Sequence, residues 1–272
     1  MNCKRCGRDL AGVPVQGGHR LLAGSATDTT AVTRLLGGAK PALCLTDPPY
    51  GISVVKMDSG SSKGVVGGGG PLGFKDRKGT VEYDNIVQAK KYYPIHGDDK
   101  PFDPTHLLTI GKEQVIFGAN FFASKMPDGK AWVVWDKDAS GTFSPCELAW
   151  TSREGRLYMY KHMWAGLRRE GVRSEELAER VHPTQKPGGL LRQILEDFSA
   201  GGDVVVDPYL GSGSTLIACE VLGRSLYGSE IEPMYVDVAV LRWQQYSGRS
   251  AVLSGDGRTF EEVKSERCAI AA

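Results

Sequence analysis

Apolar residues come in short bursts along this chain, and glycine, proline and charge fill the gaps. HRLLAG (19–24) reads as a short strand. TTAVTRLLGG (29–38) has helical spacing and closing glycines, where a left-handed residue can end a helix. PALCLTDPPY (41–50) predicts a second strand, stopping where proline cannot donate to a ladder. GVVGGGG (64–70) falls in a basic loop over 53–80 and reads as irregular and mobile. PTHLLTIG (104–111) predicts a helix, and QVIFGANFFA (114–123), KAWVVWDK (130–137) and CELAWTS (146–152) predict buried strands. The stretch 153–180 is polar and irregular until SEELAER. HPTQKPGGLLRQILEDFSAGG (182–202) predicts a helix with prolines where it begins and glycines where it ends. DVVVDPYLGSGSTLIACEVLG (203–223) reads strand, glycine loop, helix, and SLYGSEIEPMYVDVAVLRWQQYSG (225–248) repeats strand then helix. SAVLSG (250–255) predicts a last short strand before a polar tail.

Strands alternating with helices predict the α/β class, with a doubly wound, mostly parallel sheet. The chain's 272 residues suffice for one large core. Residues 1–18 read as an N-terminal tail and 19–272 as one domain. That domain carries the loop 53–80 and an insert at 153–180. No apolar run is long enough for a bilayer, and MNCKRCGRDL lacks a signal-peptide core, so the expectation is a cytoplasmic protein without a membrane partner. Six scattered cysteines give no disulfide framework. Cys3 and Cys6 form a CxxC without a second pair, so no metal site is expected.

Net charge is +1 and decides nothing about nucleic acid, but local charge is uneven. Lys56, Lys63, Lys75, Arg77 and Lys78 outnumber Asp58 and Asp76 in the first loop. Arg153, Arg156, Lys161, Arg168, Arg169, Arg173 and Arg180 stand against five glutamates in the insert. Both segments are candidate phosphate-contacting surfaces, though solvated mixed-charge loops would look the same.

Ligands of doubly wound sheets sit at the carboxyl ends of strands. Three unusual sequences fall there: TDPPY, DPYLGSGST and GSEIEP. The glycine loop permits a tight turn and close ligand approach, and the helix behind it presents unpaired N–H groups. It is not a phosphate loop, because the GK[ST] signature is missing, and the GxGxxG spacing fails. Glu230 ends the next strand, where an acid binds ribose hydroxyls, although Glu232 is close enough to be confused with it. Together they indicate a nucleoside cofactor without a diphosphate tail, and S-adenosylmethionine fits. TDPPY suits an exocyclic base amine, whose lone pair is delocalised into the ring. Asp47 can offer a carboxylate and Pro48 a rigidly aimed carbonyl to hold the amine, with Pro49 stiffening the turn. Tyr50 can stack on the base, and a base in a duplex must flip out to reach it.

These motifs resemble the amino-group DNA methyltransferases. TDPPY is similar to that family's catalytic tetrapeptide, DPYLGSGST to its cofactor loop, and HPTQKP is typical just upstream of that loop. Catalytic motif before cofactor loop is the order of the permuted beta class. The resemblance covers roughly residues 19–263 and implies a seven-stranded-type methyltransferase sheet. It implies that Asp47, Pro48, Pro49 and Tyr50 are catalytic. It assigns Asp207, Tyr209, Gly211, Ser212, Gly213 and Glu230 to S-adenosylmethionine, with Thr184 and Lys186 near its carboxylate. The family's Gly-Asp at the end of the N-terminal strand is here Gly24-Ser25, so Ser25, or Asp28, would face the adenine. Target recognition falls to the insert, where Tyr158, Tyr160, Lys161, His162, Trp164, Arg168 and Arg169 can read base edges, alongside Arg156 and the basic loop. Ordinary packing would explain several of the aromatics equally.

The leading expectation is transfer of a methyl group to a flipped base in specific double-stranded DNA, adenine N6 ahead of cytosine N4, because the cytosine enzymes more often carry serine first. RNA or protein-amide methylation, and an inactive DNA-binding protein impaired at Ser25, are the alternatives. A homodimer and an unfused cognate restriction nuclease are partners that the sequence leaves open.

Overall fold

The computed structural model describes residues 13–14, 18–57, 64–66, 95–129, 131–138, 144–165, 168–169 and 185–270. Its strands are β1 (Val13–Pro14), β2 (Arg20–Ala23), β3 (Leu43–Thr46), β4 (Val55–Met57), β5 (Gly64–Val66), β6 (Glu113–Phe117) and β7 (Trp132–Asp136). They continue with β8 (Cys146–Thr151), β9 (Tyr158–Lys161), β10 (Trp164–Ala165), β11 (Arg168–Arg169), β12 (Val204–Asp207) and β13 (Ser225–Glu230). The helices are α1 (Thr29–Leu36), α2 (Gly188–Phe198), α3 (Ser214–Val221), α4 (Pro233–Ser247) and α5 (Phe260–Ile270).

Nine strands form one sheet in the order β1-β2-β13-β12-β3-β6-β8-β7-β9. From β2 to β6 every pairing is parallel. β8 is antiparallel to both its neighbours, and β9 runs parallel to β7 at the edge. The expected mostly parallel α/β sheet is therefore present, with one reversed strand wedged among the parallel ones.

Burial on both faces explains why these strands read as apolar runs rather than alternations. Leu43, Leu45, Val115, Phe117 and Val205 pack on one face with α2, α3 and α4. Cys44, Ile116 and Val206 point to the other, against Leu107, Ile110 and Phe122. Helix ends follow local chemistry. Asp28 caps α1 by accepting from Thr30 N–H (2.9 Å) and Ala31 N–H (3.1 Å), and Gly37 ends it at φ 54°.

Some expectations differ from the structure. PTHLLTIG forms only a 3-10 turn over Thr105–Leu107. QVIFGANFFA stops being a strand at Phe117, because Gly118 turns into the left-handed region at φ 70°. Gly64–Val66, expected to be irregular, pairs with Val55–Met57 as a two-stranded ribbon. Residues 158–161 of the expected insert are the sheet's edge strand, and Val13–Pro14 of the expected tail pairs with β2. SAVLSG makes only an isolated bridge, Val252 to Thr259, and the expected polar tail is helix α5. Among the described residues no helix is long and apolar enough to cross a membrane, and no cluster of His, Cys, Asp or Glu could hold a metal.

Leu45 lies in the strand that carries the TDPPY turn and is 1% exposed. Leu45→Ala is expected to cost about 2–5 kcal/mol through lost burial and the cavity left behind. Urea denaturation of the variant beside the parent protein checks this.

Candidate active site

The parallel pairing of β3 with β12 brings their carboxyl ends side by side. Thr46 Oγ1 donates to Asp207 Oδ1 at 2.8 Å across that junction. The chain leaving β3 is Asp47-Pro48-Pro49-Tyr50, and the chain leaving β12 is the glycine loop. Two motifs far apart in sequence thus share one corner of the sheet.

Asp47 lies in a tight polar knot. Tyr50 OH donates to its Oδ1 at 2.5 Å, and Lys186 Nζ donates to its Oδ2 at 2.5 Å. Lys186 Nζ is also 3.2 Å from Tyr50 OH and 3.3 Å from Glu147 Oε2. The faces of Phe117 and Tyr50 lie 5.1 and 5.6 Å from that ammonium. Burial pulls the Lys186 ammonium down, but Asp47 and Glu147 outweigh it and hold the lysine above its ordinary range. Burial pushes the Asp47 carboxyl up, and Glu147 adds to this, against the pull of Lys186 and Tyr50.

The Tyr50 ring lies flat on the backbone of Gly118. A Cβ there would come within 2.0 Å of the ring, so glycine is required at that position by contact as well as by its positive φ. Phe121 stacks on Tyr50 with ring centres 5.1 Å apart and planes 18° from parallel, while remaining 51% exposed. Asp98, buried, fixes the turn from behind. Its Oδ1 accepts from the N–H groups of Tyr50 (3.1 Å), Gly51 (2.9 Å) and Ile52 (3.3 Å), and its Oδ2 from Val54 (2.7 Å).

The glycine loop is braced to the neighbouring strand end. Leu210 N–H donates to the Ser229 carbonyl at 2.9 Å, and Gly211 N–H to Glu230 Oε2 at 2.9 Å. Glu230 Oε1 takes Glu232 N–H at 2.9 Å. Gly213 sits at φ 82° with Ala239 Cβ 2.8 Å from where its own Cβ would be, so α3 packs directly on α4. Arg242 donates to the Ser212 carbonyl at 2.5 Å. Tyr209 OH is 2.9 Å from His106 Nε2. At the start of α3, Ser214 Oγ is buried with no hydrogen-bond partner among the described residues, a polar atom waiting at a helix N-terminus. Burial raises Asp207 to about 6 and Glu230 to about 7, in each case against hydrogen bonds that favour the charged form.

Ser25 joins this edge, since Gly24 N–H donates to the Glu230 carbonyl at 2.9 Å. Its Oγ lies 2.9 Å from Thr27 Oγ1 and accepts from Thr27 N–H. Asp28 uses Oδ1 as the cap of α1. Lys186 points at Asp47. Thr184, Lys63, Lys75, Arg77 and Lys78 lie outside the described residues, and Lys56, Arg168 and Arg169 are described only as strand backbone. Arg156 and Lys161 are exposed, the first over the Tyr158 ring and the second 3.2 Å from Asp138. Trp164 is half-buried in the β10–β11 hairpin. His162 is buried, its ring against Gly189 at the start of α2.

Three residues at the site escaped the sequence reading. Glu147 was the most detectable, as an acid in the otherwise apolar run CELAW. Phe121 stood in a run read wholly as strand. Asp98 had no local signal, because its partners are more than 40 residues upstream.

Comparison with known proteins finds likenesses over part or most of the chain. Residues 124–241 match a protein family described as DNA methylase, the N6_N4_Mtase family. Over 77 residues the chain is 39% identical to the type II methyltransferase M.HinfI of Haemophilus influenzae, covering 28% of this chain and 21% of that one. Over 68 residues it is 38% identical to the type II methyltransferase M.BglII of Bacillus subtilis, covering 25% and 19%. The matched stretches thus span about a fifth of each relative. The family match and both relatives are thus likenesses to amino-methyltransferases over part of this chain. Among solved structures, the M1.HpyAVI–SAM complex superposes with a TM-score of 0.47 at 18% identity, over 82% of this chain and 98% of that one. The cytosine-N4-specific PvuII DNA methyltransferase gives 0.49 at 11%, over 94% of each. Both superpositions are loose, and the fold assignment rests on the strand order itself.

Asp98→Ala would leave four turn N–H groups without their carboxylate. Faster amide exchange at Tyr50, Gly51, Ile52 and Val54 is expected, with a global stability loss of about 1–3 kcal/mol. Hydrogen-exchange mass spectrometry reads both.

Proposed function

We propose that this protein is an S-adenosylmethionine-dependent DNA methyltransferase acting on an exocyclic amine of a flipped-out base, adenine N6 ahead of cytosine N4. The observation that carries the reading is the Thr46–Asp207 contact, which seats the DPPY turn beside the glycine loop and one strand from Glu230.

The residues present fit the cofactor. Glu230 keeps acceptor capacity for a ribose diol after taking two N–H groups. The buried, unpartnered Ser214 Oγ and the N-terminus of α3 suit a small polar ligand end. When bound, S-adenosylmethionine supplies an electrophilic methyl group on sulfur. The chain's own part is to hold the amine. Asp47 and the Pro48 carbonyl accept from its two N–H bonds and so localise its lone pair. Both acceptors are set rigidly, by the prolines and by the Asp98 clamp, so little rearrangement accompanies reaction. Phe121, stacked on Tyr50 and half exposed, offers an aromatic face on which a base can lie. Adenine is preferred on the aspartate that opens DPPY. Duplex DNA is the substrate proposed on the strength of the family, with Arg156 and Lys161 as exposed cations on one flank.

Purified protein incubated with methyl-labelled S-adenosylmethionine and unmethylated duplex DNA is expected to yield N6-methyladenine after digestion to nucleosides and mass spectrometry. N4-methylcytosine would move the proposal to the other amine, and unlabelled DNA would overturn it. Asp47→Ala is expected to lower transfer by about a thousandfold while cofactor affinity stays near that of the parent protein.

Cofactor affinity should depend on pH through Glu230. Ribose hydroxyls donate, so the ionised carboxylate is the binding form, and it is lost as pH falls through about 7. Affinity is expected to be full above that value and to fall by up to about tenfold per pH unit below it. Calorimetric titration of S-adenosylmethionine across this range should show the slope, and Glu230→Gln should flatten it.

A further inference from the structure

We propose that Glu147 is a positioning residue for the methyl-transfer step, acting through Lys186 to control the charge and orientation of Asp47. The inference rests on the amino-methyltransferase reading above and adds a role for a residue that lies in neither the DPPY turn nor the glycine loop.

Four charged side chains form an alternating row: Asp47, Lys186, Glu147, Lys137. Lys186 Nζ lies 2.5 Å from Asp47 and 3.3 Å from Glu147, and Lys137 Nζ lies 2.5 Å from the other Glu147 oxygen. Each comes from a different segment: the turn after β3, the segment before α2, β8, and the residue that follows β7. Glu147 is placed by the antiparallel register of β8 on β7, where it sits opposite Trp135. Lys137 lies over that same indole, 4.9 Å from its centre. Neither lysine wanders, because each is packed on aromatic rings.

The arrangement matters because Asp47 has two jobs that conflict. It must present a lone pair to the incoming amine, yet it already receives Tyr50 OH on one oxygen and Lys186 on the other. An ammonium held by Asp47 alone would settle fully on that oxygen and compete with the amine. Glu147 draws the same ammonium the other way, so Lys186 is shared and Asp47 keeps more of its acceptor strength. The Glu147 oxygen facing Lys186 lies within ion-pair range but makes no hydrogen bond, as expected of a partner that pulls without capturing. The charged and titratable groups around Glu147 are Lys137, Lys186, Asp47 and Tyr50, with Asp98 behind Tyr50. The sign of the effect follows from charge. Removing a negative group near Asp47 makes its proton easier to lose, so its titration moves to lower pH.

The test uses the full chain and Glu147→Gln, which keeps shape and removes charge, with Glu147→Asp as the variant that restores charge. Thermal midpoints of the three proteins verify folding. Carbon-13 NMR of the Asp47 carboxyl, read without DNA or cofactor, is expected to show its titration midpoint about one pH unit lower in Glu147→Gln. Glu147→Asp should return it towards the parent value. In turnover with duplex DNA, Glu147→Gln should lower kcat by up to about a hundredfold and move the acidic limb of its pH profile downwards. KM for the cofactor should stay within about twofold, since Glu147 touches no residue of the glycine loop. An unchanged Asp47 titration in Glu147→Gln overturns the inference whatever the activity. A parent protein that labels no DNA overturns the methyltransferase reading instead, and the two failures are told apart by the NMR measurement.

Discussion

A buried lysine ammonium survives only if carboxylates surround it, and the candidate site of this protein is organised by that requirement. Lys186 reaches the site just before α2 begins, and α2 packs its apolar stripe of Leu190, Leu191, Ile194 and Leu195 on the sheet face. The lysine's position is therefore set by core packing, and its charge selects what may stand opposite. Asp47 and Tyr50 converge on it from the turn after β3, and Glu147 from β8. Desolvating one cation costs several kcal/mol unless such partners are present, so the knot and the core must form together.

The same corner shows how backbone and side chains divide the labour. The parallel ladder places the ends of β3, β12, β13 and β2 in one row. Side chains then fix what the ladder leaves loose: Thr46 joins two strand ends, Asp98 gathers four N–H groups of the turn, and Glu230 anchors Gly211. Thr46 does so as a donor, and Asp98 and Glu230 as acceptors of backbone N–H groups, which makes these loops rigid without making them regular.

Much of this was legible in the sequence, and the boundary of legibility is physical. Helices and doubly buried strands announce themselves through local periodicity, as in DVVVD and GGLLRQILEDF. The TDPPY turn and the glycine loop announce themselves because prolines and glycines impose backbone geometry within a few residues. Pairing direction is not local. Nothing in CELAWT says that β8 runs against its neighbours, and nothing in YMYK says that it closes the sheet edge. Asp98, Phe121 and Glu147 were missed for the same reason: each acts on a partner far along the chain. His162, expected among the base-reading residues of the insert, is buried with its ring against Gly189 at the start of α2, a placement that no local pattern announces. The C-terminal segment was read as a tail because FEEVKSERCAI carries so little apolar surface. It is helical nonetheless, with Val263 buried beneath it and Thr259 bonding Glu262 at its start.

The order of strands in the sheet has a consequence for how the chain comes to be folded. β2 and β3 lie far along the chain from their partners β13 and β12, and Thr46 meets Asp207 across 161 residues. Contacts of such separation are slow to close, because a long loop must be ordered before any of them forms. A growing chain therefore leaves an edge of β2 and an edge of β3 without their partners until β12 and β13 have been joined. Until then the hydrophobic strands depend on chaperoning or on non-native cover. A truncated product ending before β12 would lack the neighbour that β3 needs, so the corner where Thr46 meets Asp207 forms abruptly rather than by degrees.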